Sequence, residues 1–476
     1  MSFADHEYLP FLALVLALFQ FVPGALRGLF LLAASAVFYL WWQPWHGLVL
    51  AAVIAADYAA GLGLARSRGT AARRAWLALA LLVNLGLLAS FKYSGFLVGN
   101  LNALLAALGA ATLPVPEPSL PLGLSFYAFQ GLGYVVDVAR GRLEACRDPL
   151  RFALYVSFFP QLVAGPIERA RELLPQLARL RRLDGERALS GGALVLWGVF
   201  KKWVLADHLS QRLGPVFERA GESDPLTLAV TAAALYVVLY LDFSAYTDLA
   251  RGSARLFGVE LSLNFRLPLA ARSTAELAQR WHITLYTWIR DYAFAPFARG
   301  PIGYASIWRS SLVVLGLFGL WHGASWRFVV WGLASGVVIA VQHSWRLART
   351  RAGVRRAPRA GWGAADWAGW GATQVTAALF IVLFFAPDLR SALAYYARLF
   401  DPGALRLPTG EVLALAGALA ALYLGQVAVE RAGPGRLEAA WGARPALLRL
   451  ALLAGLAAAT VLLRVPEPLP FVYFQF

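Results

Sequence analysis

Stretches of about 20 apolar residues recur along the whole chain, and each is long enough to cross a bilayer as a helix. Backbone groups in hydrocarbon must hydrogen-bond within their own segment, so helices are expected throughout. The composition agrees, because 59% of the 476 residues are hydrophobic and 15% are charged, whereas a soluble domain carries about 25% charged residues. We therefore predict an all-α polytopic membrane protein with about 11–12 transmembrane helices.

The basic residues, which give a net charge of +16, lie mostly between the apolar segments. Such loops mark the cytoplasmic side of a membrane protein and contact anionic membrane lipids, so we expect no nucleic-acid partner. The single cysteine, Cys146, excludes an internal disulfide and a metal–thiolate cluster. The histidines lack the carboxylate partners and spacing of a metal site, and no metal is predicted.

The distribution of charge also predicts an orientation. Four arginines lie within residues 66–74, whereas the acidic residues Asp5 and Glu7 precede the first apolar segment. The positive-inside rule places residues 66–74 inside and the N-terminus outside. To keep the basic loop 140–151 inside as well, we expect residues 95–112 to lie along the outer surface.

Residues 151–171, "RFALYVSFFPQLVAGPIERAR", have arginines at both ends and the helix breakers Pro160, Gly165 and Pro166 between them. Both ends on one side predict a re-entrant segment, with a kinked ordinary span as the alternative. Broken backbone at membrane depth is tolerated only where protein or a water-filled cavity covers it. The segment therefore implies a cavity.

Residues 310–343 leave the basic side and return to it within about 34 residues, or roughly 25 Å per leg. The turn in "GLWHGASWRFVVWG" (319–332) is therefore predicted to lie within the membrane, which makes His322 deep. An ionisable group there is expensive and indicates function; a structural imidazole with one partner is the alternative. We predict that Trp321, Ser325 and Trp326 line its pocket.

Residues 275–292, "AELAQRWHITLYTWIRDY", are predicted to form one amphipathic helix. Gln279, His282, Tyr286 and Arg290 lie on the stripe opposite its apolar face. This stripe suits the rim of a polar funnel, and a surface helix with polar groups in water is the alternative.

Asp242 and Tyr246 lie one helical turn apart in "YLDFSAYTDLARG" (240–252), at the inner end of an apolar span. Intramembrane carboxylates generally face the protein interior and pair with a cation or donor. Either residue could orient His322, and helix packing is the alternative role.

The chain has no G-x-S-x-G elbow, no H-E-x-x-H motif and no G-x-x-x-x-G-K-S/T loop. From these residues alone, an enzyme, a proton-coupled transporter and a scaffold of a secretion complex all stay open.

Six blocks in order along the chain add a resemblance to a known family. They are "PLGLSFYAFQGLGYVVDVARG", "YVSFFPQLVAGPIERA", "GVFKKWVLADHL", "LDFSAYTDLARG", "NFRLPLAARSTAELAQRWHITLYTWIRDY" and "LWHGASWRFVVWG". Together they resemble the membrane-bound O-acyltransferase (MBOAT) superfamily, in particular its alginate O-acetyltransferase branch.

The resemblance implies a fold in which transmembrane, re-entrant and interfacial helices surround a central funnel. We accordingly treat residues 1–476 as a single membrane-embedded domain of the bacterial inner membrane. Its predicted parts are N-terminal helices 1–120, a catalytic core 121–345, a basic cytoplasmic loop 346–369 and C-terminal helices 370–476.

The resemblance also implies a reaction, with His322 as the active-site histidine and His282 as the second, more polar one. The implied donor is a cytoplasmic acyl thioester, acetyl-CoA, with no permanently bound cofactor. The implied acceptor is an exported, alginate-like polysaccharide, and an SGNH-type acetyltransferase in the periplasm is the expected partner.

The residues fit this chemistry independently. Desolvation biases a buried imidazole toward its neutral form, and a neutral imidazole can remove the proton of an attacking hydroxyl. His282, Tyr286, Arg290, Gln279 and Arg280 could bind the thioester arm or its phosphates. Arg266 and Arg272 could help; positive-inside topology alone is the alternative explanation for these arginines.

Overall fold

The computed structural model describes residues 1, 3, 5–294, 303–353, 361–433 and 435–472. Within them every regular element is helical, which confirms the predicted fold class. The α-helices are α1 Tyr8–Phe19, α2 Arg27–Leu40, α3 His46–Arg66, α4 Thr70–Leu88, α5 Ser94–Ala107, α6 Leu124–Ala139, α7 Pro149–Ser157, α8 Phe159–Leu162, α9 Ala170–Leu177, α10 Gly185–Phe200, α11 Asp207–Glu218, α12 Pro225–Leu256, α13 Thr274–Arg280, α14 Ile283–Trp288, α15 Tyr304–His322, α16 Trp326–Arg351, α17 Ala364–Phe385, α18 Leu389–Leu399, α19 Gly410–Ala432, α20 Gly435–Gly442 and α21 Ala446–Leu463.

Wider and tighter turns join or flank these helices. The π-helical turns are Ala89–Tyr93, Lys201–Ala206 and Ile289–Phe294, and the 3₁₀ turns are Gly24–Leu26, Ala220–Glu222, Pro268–Ala270 and Pro402–Ala404.

Nine helical runs in the described part of the chain are long and apolar enough to cross a membrane. They are His46–Arg66, Thr70–Ala107, Gly185–Gly214, Pro225–Leu256, Tyr304–His322, Trp326–Arg351, Ala364–Phe385, Gly410–Ala432 and Ala446–Leu463. Two further apolar helices, Tyr8–Phe19 and Gly24–Leu40, are shorter. The sequence-based estimate of 11–12 transmembrane helices counts the segments that contain them.

The second of these runs differs from the sequence-based prediction. Residues 95–112 were expected to form a separate surface segment, whereas α4 and α5 belong to one 38-residue helical run. The π-helical turn Ala89–Tyr93 joins them, and no proline interrupts residues 70–107. The orientation of α5 relative to a membrane stays a prediction.

The chain divides into two compact units. One comprises residues 1–199 and 246–262, and the other residues 200–245 and 263–476. The long helix α12 contributes residues to both units, and the boundaries predicted from sequence stay a prediction.

In the unit that begins at residue 1, the predicted break in residues 151–171 is present. Helix α7 ends at Ser157 and the short α8 begins at Phe159, with Phe158 between them. Two buried side-chain amides provide hydrogen bonds to a carbonyl near this break. Gln161 Nε2 donates to the Tyr155 carbonyl oxygen at 2.8 Å, and Gln130 donates to the same oxygen. Protein groups therefore cover the broken backbone, as its stability away from water requires.

In the unit that begins at residue 200, α15 and α16 form a closely packed hairpin. A Cβ added at Gly319 would overlap with the Phe328 carbonyl oxygen, and one at Gly332 with the Leu315 carbonyl oxygen. Small residues let two helix backbones approach in this way. The reversal falls just after His322, so the tight hairpin fixes where this side chain emerges.

Arg327, the basic residue in the apolar run 319–332, stabilises the C-terminal end of helix α17 in the same unit. Its buried guanidinium donates to the Phe384 carbonyl at 2.6 Å and also to the Ala386 carbonyl. These carbonyls lie at the C-terminus of α17, where unpaired acceptors favour a cation. Arg327 therefore ties the start of α16 to the end of α17.

Candidate active site

His322 is the last residue of α15, and only 5% of its surface is exposed. Four rings surround its imidazole edge-on, with centroid separations of 4.5 Å to Phe318, 5.0 Å to Trp321, 5.0 Å to Trp331 and 5.2 Å to Phe384. Edge-to-face contacts of this kind are favourable beyond simple burial. We call these four surrounding rings the aromatic box; they hold the imidazole of His322 in a fixed orientation.

Trp321 connects the two histidines predicted from sequence. Its ring lies 5.0 Å from that of His322 and 6.4 Å from that of His282. The indole is itself buried, with 6% of its surface exposed. The structure thus brings His322, Trp321 and His282 into one continuous group of side chains.

The other two predicted pocket residues lie outside the aromatic box. Ser325 is half-buried and precedes α16, with its N–H bonded to the Gly323 carbonyl at 2.9 Å. Contrary to the prediction, the Trp326 side chain is 56% exposed. Trp326 is the first residue of α16, directly after the reversal of the chain.

Residues 275–292 do not form the single helix that their periodicity predicts. The chain breaks between α13 and α14, where His282 adopts a left-handed conformation with φ of 43°. A non-glycine residue there costs about 1–2 kcal/mol, so other contacts must stabilise it. His282 consequently leaves the polar stripe and becomes buried, with 2% of its surface exposed.

Asn264 holds the His282 ring. The Nδ1–H of His282 donates to Asn264 Oδ1 at 3.2 Å, and the edge of the ring meets Phe243 with centroids 4.7 Å apart. Asn264 Oδ1 also accepts from the backbone N–H and the hydroxyl of Thr284, at 3.1 and 2.8 Å. Because a backbone N–H can only donate, these bonds identify the oxygen of the amide.

This arrangement determines the protonation of His282. With Nδ1 as the donor to Asn264, a neutral imidazole carries its acceptor lone pair on Nε2. Burial lowers the pKa of His282 to about 3, so the ring is neutral near pH 7. His282 is therefore equipped to accept a hydrogen bond at Nε2 without becoming protonated near pH 7.

Because the helix is broken at His282, the other predicted stripe residues, Gln279, Tyr286 and Arg290, do not share one helix face. Gln279 is exposed and Tyr286 half-buried, whereas Arg290 is exposed and paired with Asp291 at 2.8 Å. Gln279 alone of these three lies on the wall of a cavity of about 530 Å³. The described residues that line this cavity are Arg266, Arg272, Ser273, Glu276, Gln279, Arg280, Arg346, Gly361, Ala365 and Asp366.

The arginines of this cavity differ in their partners. Arg280 is paired with Glu276 at 2.7 Å and with Glu430 at 2.6 Å, and its side chain is only 3% exposed. Arg272 lies farther from its carboxylates, at 3.5 Å from Glu276 and 3.6 Å from Asp366. Arg280 is thus neutralised within the fold, in contrast to its predicted role in binding a donor.

Arg266 and Arg346 are exposed on the cavity wall, and Arg346 donates to Ser273 Oγ at 3.2 Å. Guanidinium groups in such positions favour an anion in the cavity.

Asp242 and Tyr246 have partners of their own. Asp242 Oδ1 lies 2.8 Å from Lys202 Nζ, and its Oδ2 accepts from the Val472 N–H at 2.9 Å. Tyr246 is fully buried and packs against Phe3 with ring centroids 5.6 Å apart. Both oxygens of Asp242 are used in these contacts, so the structure gives it a different role from orienting His322.

Several residues of this region were not predicted from sequence. They are Asn264, Phe243, Phe318, Trp331, Phe384, Lys202, Asp207 and Arg346. Of these residues, only Lys202 could have been found from the sequence. It is one of two lysines in the apolar run "GVFKKWVLADHL", where a charged group needs a partner.

Comparison with known proteins identifies the family to which the chain belongs. Residues 146–384, a range that contains both histidines, match MBOAT, the membrane-bound O-acyltransferase family. The chain belongs to this family. Its membership confirms the resemblance deduced from the six sequence blocks.

Three relatives illustrate the similarity of this MBOAT protein to others. The chain is 37% identical to a probable alginate O-acetylase AlgI of Azotobacter vinelandii over 353 residues, which cover 73% of the chain and 70% of the relative. It is 33% identical to the Pseudomonas aeruginosa protein of the same name over 414 residues, 86% of the chain and 76% of the relative. It is 30% identical to a peptidoglycan O-acetyltransferase of Helicobacter pylori over 343 residues, 67% of the chain and 64% of the relative.

As a member of the MBOAT family the protein is an O-acyltransferase. This decides between the classes that the residues alone left open, in favour of an enzyme over a transporter or a scaffold.

Proposed function

We propose that the protein takes an acetyl group from acetyl-CoA and passes it across the inner membrane to an acceptor hydroxyl, for O-acetylation of an exported, alginate-like polysaccharide, with His322 as general base. The observation that carries this proposal is the aromatic box, which holds one imidazole at the reversal of a helical hairpin. The names of the alginate and peptidoglycan O-acetylating relatives support acetyl as the group and a polysaccharide as the acceptor.

The proposed step balances without a further reactant. His322 removes the hydroxyl proton as the oxygen attacks the thioester carbonyl carbon, and a C–O bond forms. The C–S bond breaks, and the thiolate leaves with the proton from the imidazolium as a free thiol. General base catalysis of this kind contributes about 10²–10⁴-fold to a rate.

His282 has a complementary role in the proposal. Its bond to Asn264 makes Nε2 an acceptor, which suits a hydroxyl or amide N–H of a substrate better than a phosphate. Trp321, which contacts both rings, keeps the two imidazoles in a constant relation.

The donor's phosphates are assigned to the arginine-lined cavity. Arg266, Arg346 and Gln279 are exposed there, and guanidinium groups bind phosphate oxygens with two hydrogen bonds at once. Arg280 contributes indirectly, because its pairs with Glu276 and Glu430 hold α13 and α19 together at the cavity wall.

The surroundings of the reaction complete the proposal. The arginines within residues 66–74 and 346–359 of the sequence support a cytoplasmic cavity, and an N-terminus outside, in the bacterial inner membrane. An SGNH-type acetyltransferase in the periplasm is the partner that would finish the transfer to polymer.

The test compares two histidines of the same helical hairpin. His322→Ala is expected to lower O-acetylation of polymer by at least about 100-fold, because the base is lost. His343→Ala, in α16 and outside the aromatic box, is the control and should leave activity within about 2-fold of the parent protein. The readout is O-acetyl ester formed on deacetylated alginate from acetyl-CoA, by the full chain in bacterial membranes with its partner proteins. Unchanged acetylation in a folded, inserted His322→Ala protein would end the catalytic assignment.

A further inference from the structure

Residues 465–472, "VPEPLPFV", form a proline-punctuated segment that follows α21. Pro466, Pro468 and Pro470 cannot donate a hydrogen bond, and each biases the residue before it toward an extended backbone. The segment is accordingly non-helical from 465 to 471, with Val465, Phe471 and Val472 buried. Its sequence therefore favours one extended conformation before any contact is made.

A buried cluster of three charges lies beside this segment. Lys202 Nζ is 2.8 Å from Asp207 Oδ1 and 2.8 Å from Asp242 Oδ1, and all three side chains are 2% exposed or less. Two carboxylates and one ammonium group leave an excess negative charge, which is costly away from water unless further donors offset it. The cluster thus requires hydrogen-bond donors for its remaining oxygens.

The segment supplies these donors from its backbone. The Leu469 N–H donates to Asp207 Oδ2 at 3.3 Å, and the Val472 N–H donates to Asp242 Oδ2 at 2.9 Å. Each aspartate therefore uses one oxygen for Lys202 and the other for the segment. A third bond, from the Val465 N–H to the Trp203 carbonyl at 3.3 Å, fixes the start of the segment.

Docked in this way, the segment reaches the second histidine through two aromatic rings. Phe471 is fully buried, and its ring centroid lies 5.4 Å from that of Phe243. Phe243 in turn meets the edge of His282 at 4.7 Å. The side of His282 that faces Phe243 is thus supported by a residue almost 190 positions later in the chain.

We propose that residues 465–472 are a positioning element of the active site, anchored by the Lys202–Asp207–Asp242 cluster and acting on His282 through Phe471 and Phe243. The proposal rests on the role of His282 in the proposed function. It assigns the charged cluster to holding the segment and Phe471 to orienting the imidazole, so that these residues act through His282.

Two pairs of variants of the full chain test the two contacts separately. Phe471→Ala removes the ring, whereas Phe471→Leu keeps most of its volume. Val472→Pro removes the backbone N–H that donates a hydrogen bond to Asp242, whereas Val472→Ala keeps this N–H. The assay is O-acetyl transfer from acetyl-CoA to deacetylated alginate in membranes that contain the partner proteins, with kcat and the KM for acetyl-CoA measured separately.

We expect Phe471→Ala and Val472→Pro to lower kcat by about 10–100-fold, since small displacements of a catalytic group cost this much. Their KM for acetyl-CoA should stay within about 2-fold, because the donor cavity is formed by other residues. Phe471→Leu and Val472→Ala should recover most of kcat. Phe257→Ala, a fully buried phenylalanine that packs against Phe19 and Phe159, controls for the loss of a core ring.

Wild-type kcat in a folded Phe471→Ala or Val472→Pro protein would overturn the proposal. So would equal losses in Phe471→Ala, Phe471→Leu and Phe257→Ala, since these would reflect packing alone. His282→Asn is measured in parallel, because asparagine tolerates the left-handed backbone at this position. If His282→Asn is fully active, the role of His282 in the proposed function fails, whatever the segment variants show.

Discussion

The two imidazoles of the site are held by different kinds of contact. His322 is oriented by four aromatic rings, whereas His282 depends on one amide and a left-handed backbone. Its amide partner, Asn264, is fully buried and collects three hydrogen bonds on one oxygen. Because an unmade bond in such a place costs about 1–3 kcal/mol, Asn264 determines both the conformation and the tautomer of His282.

Asn264→Ala is therefore expected to reduce kcat for acetyl transfer by about 10–100-fold through misorientation of His282. Thr284→Val is the matched control, since it removes one of the other bonds to Asn264 Oδ1 and leaves the bond from His282 in place. Its kcat should stay within about 3-fold of the parent value. Equal losses of kcat in the two variants would mean that Asn264 stabilises the backbone around Thr284 and does not orient the imidazole.

At the scale of helices, the close packing of α15 against α16 positions the aromatic box. Gly319 and Gly332 allow the backbones to touch, and the reversal after His322 leaves its ring between residues of both helices and of α17. A side chain on either glycine would push the helices apart and widen the box.

Gly319→Ala and Gly332→Ala are expected to destabilise the protein by about 1–3 kcal/mol, because the added methyl overlaps a backbone carbonyl. Gly417→Ala in α19 has no atom within reach of the new Cβ and should be neutral or stabilising by up to about 1 kcal/mol. Thermal unfolding midpoints of the detergent-solubilised proteins measure the difference. A Gly417→Ala protein as destabilised as the other two would refute close packing as the cause.

The charges on either side of residues 310–343 made this hairpin predictable, whereas the break at His282 was not. The two helices of the hairpin, with 19 and 26 residues, are longer than the predicted legs, and the depth of the turn in the membrane stays a prediction. A left-handed histidine has no sequence signature, because its stabilising partner, Asn264, lies 18 positions upstream and meets it only in the folded chain. The periodicity of residues 275–292 is compatible with one continuous helix as well as with the two helices α13 and α14. Burial of His322 could be predicted, but the rings from Phe318, Trp331 and Phe384 that enclose it could not.

At the scale of the whole chain, buried charged groups find partners far away in sequence. Lys202 pairs with Asp242, and Arg280 with Glu430. The sequence predicts that an intramembrane carboxylate has a cationic partner, but it does not say which one. For this reason Asp242 could be recognised as significant while its actual contacts, with Lys202 and Val472, could not be deduced.

The buried state of His282 also affects global stability. Burial lowers its pKa to about 3, whereas an exposed histidine titrates near 6.5. Between these values the unfolded chain binds a proton that the native chain does not. The contribution of His282 to the free energy of unfolding should therefore fall by about 1.4 kcal/mol per unit as pH decreases below about 6.5.

The measurement compares unfolding midpoints of the parent protein and His282→Asn in detergent, from about pH 7 to about pH 4. We expect the parent protein to lose stability more steeply on acidification, because the variant lacks this titrating group. Parallel curves would show that the imidazole is solvated in the native state.

The bonds from Arg327 to the end of α17 have a consequence for how substrates move. Phe384 forms one wall of the aromatic box, and its carbonyl is one of the two that Arg327 holds. Displacing α17 from α16 would break both bonds and leave the buried guanidinium without these acceptors, which costs about 3–5 kcal/mol. A molecule that approaches His322 past Phe384 would therefore meet a phenyl ring whose own backbone is tied to the start of α16.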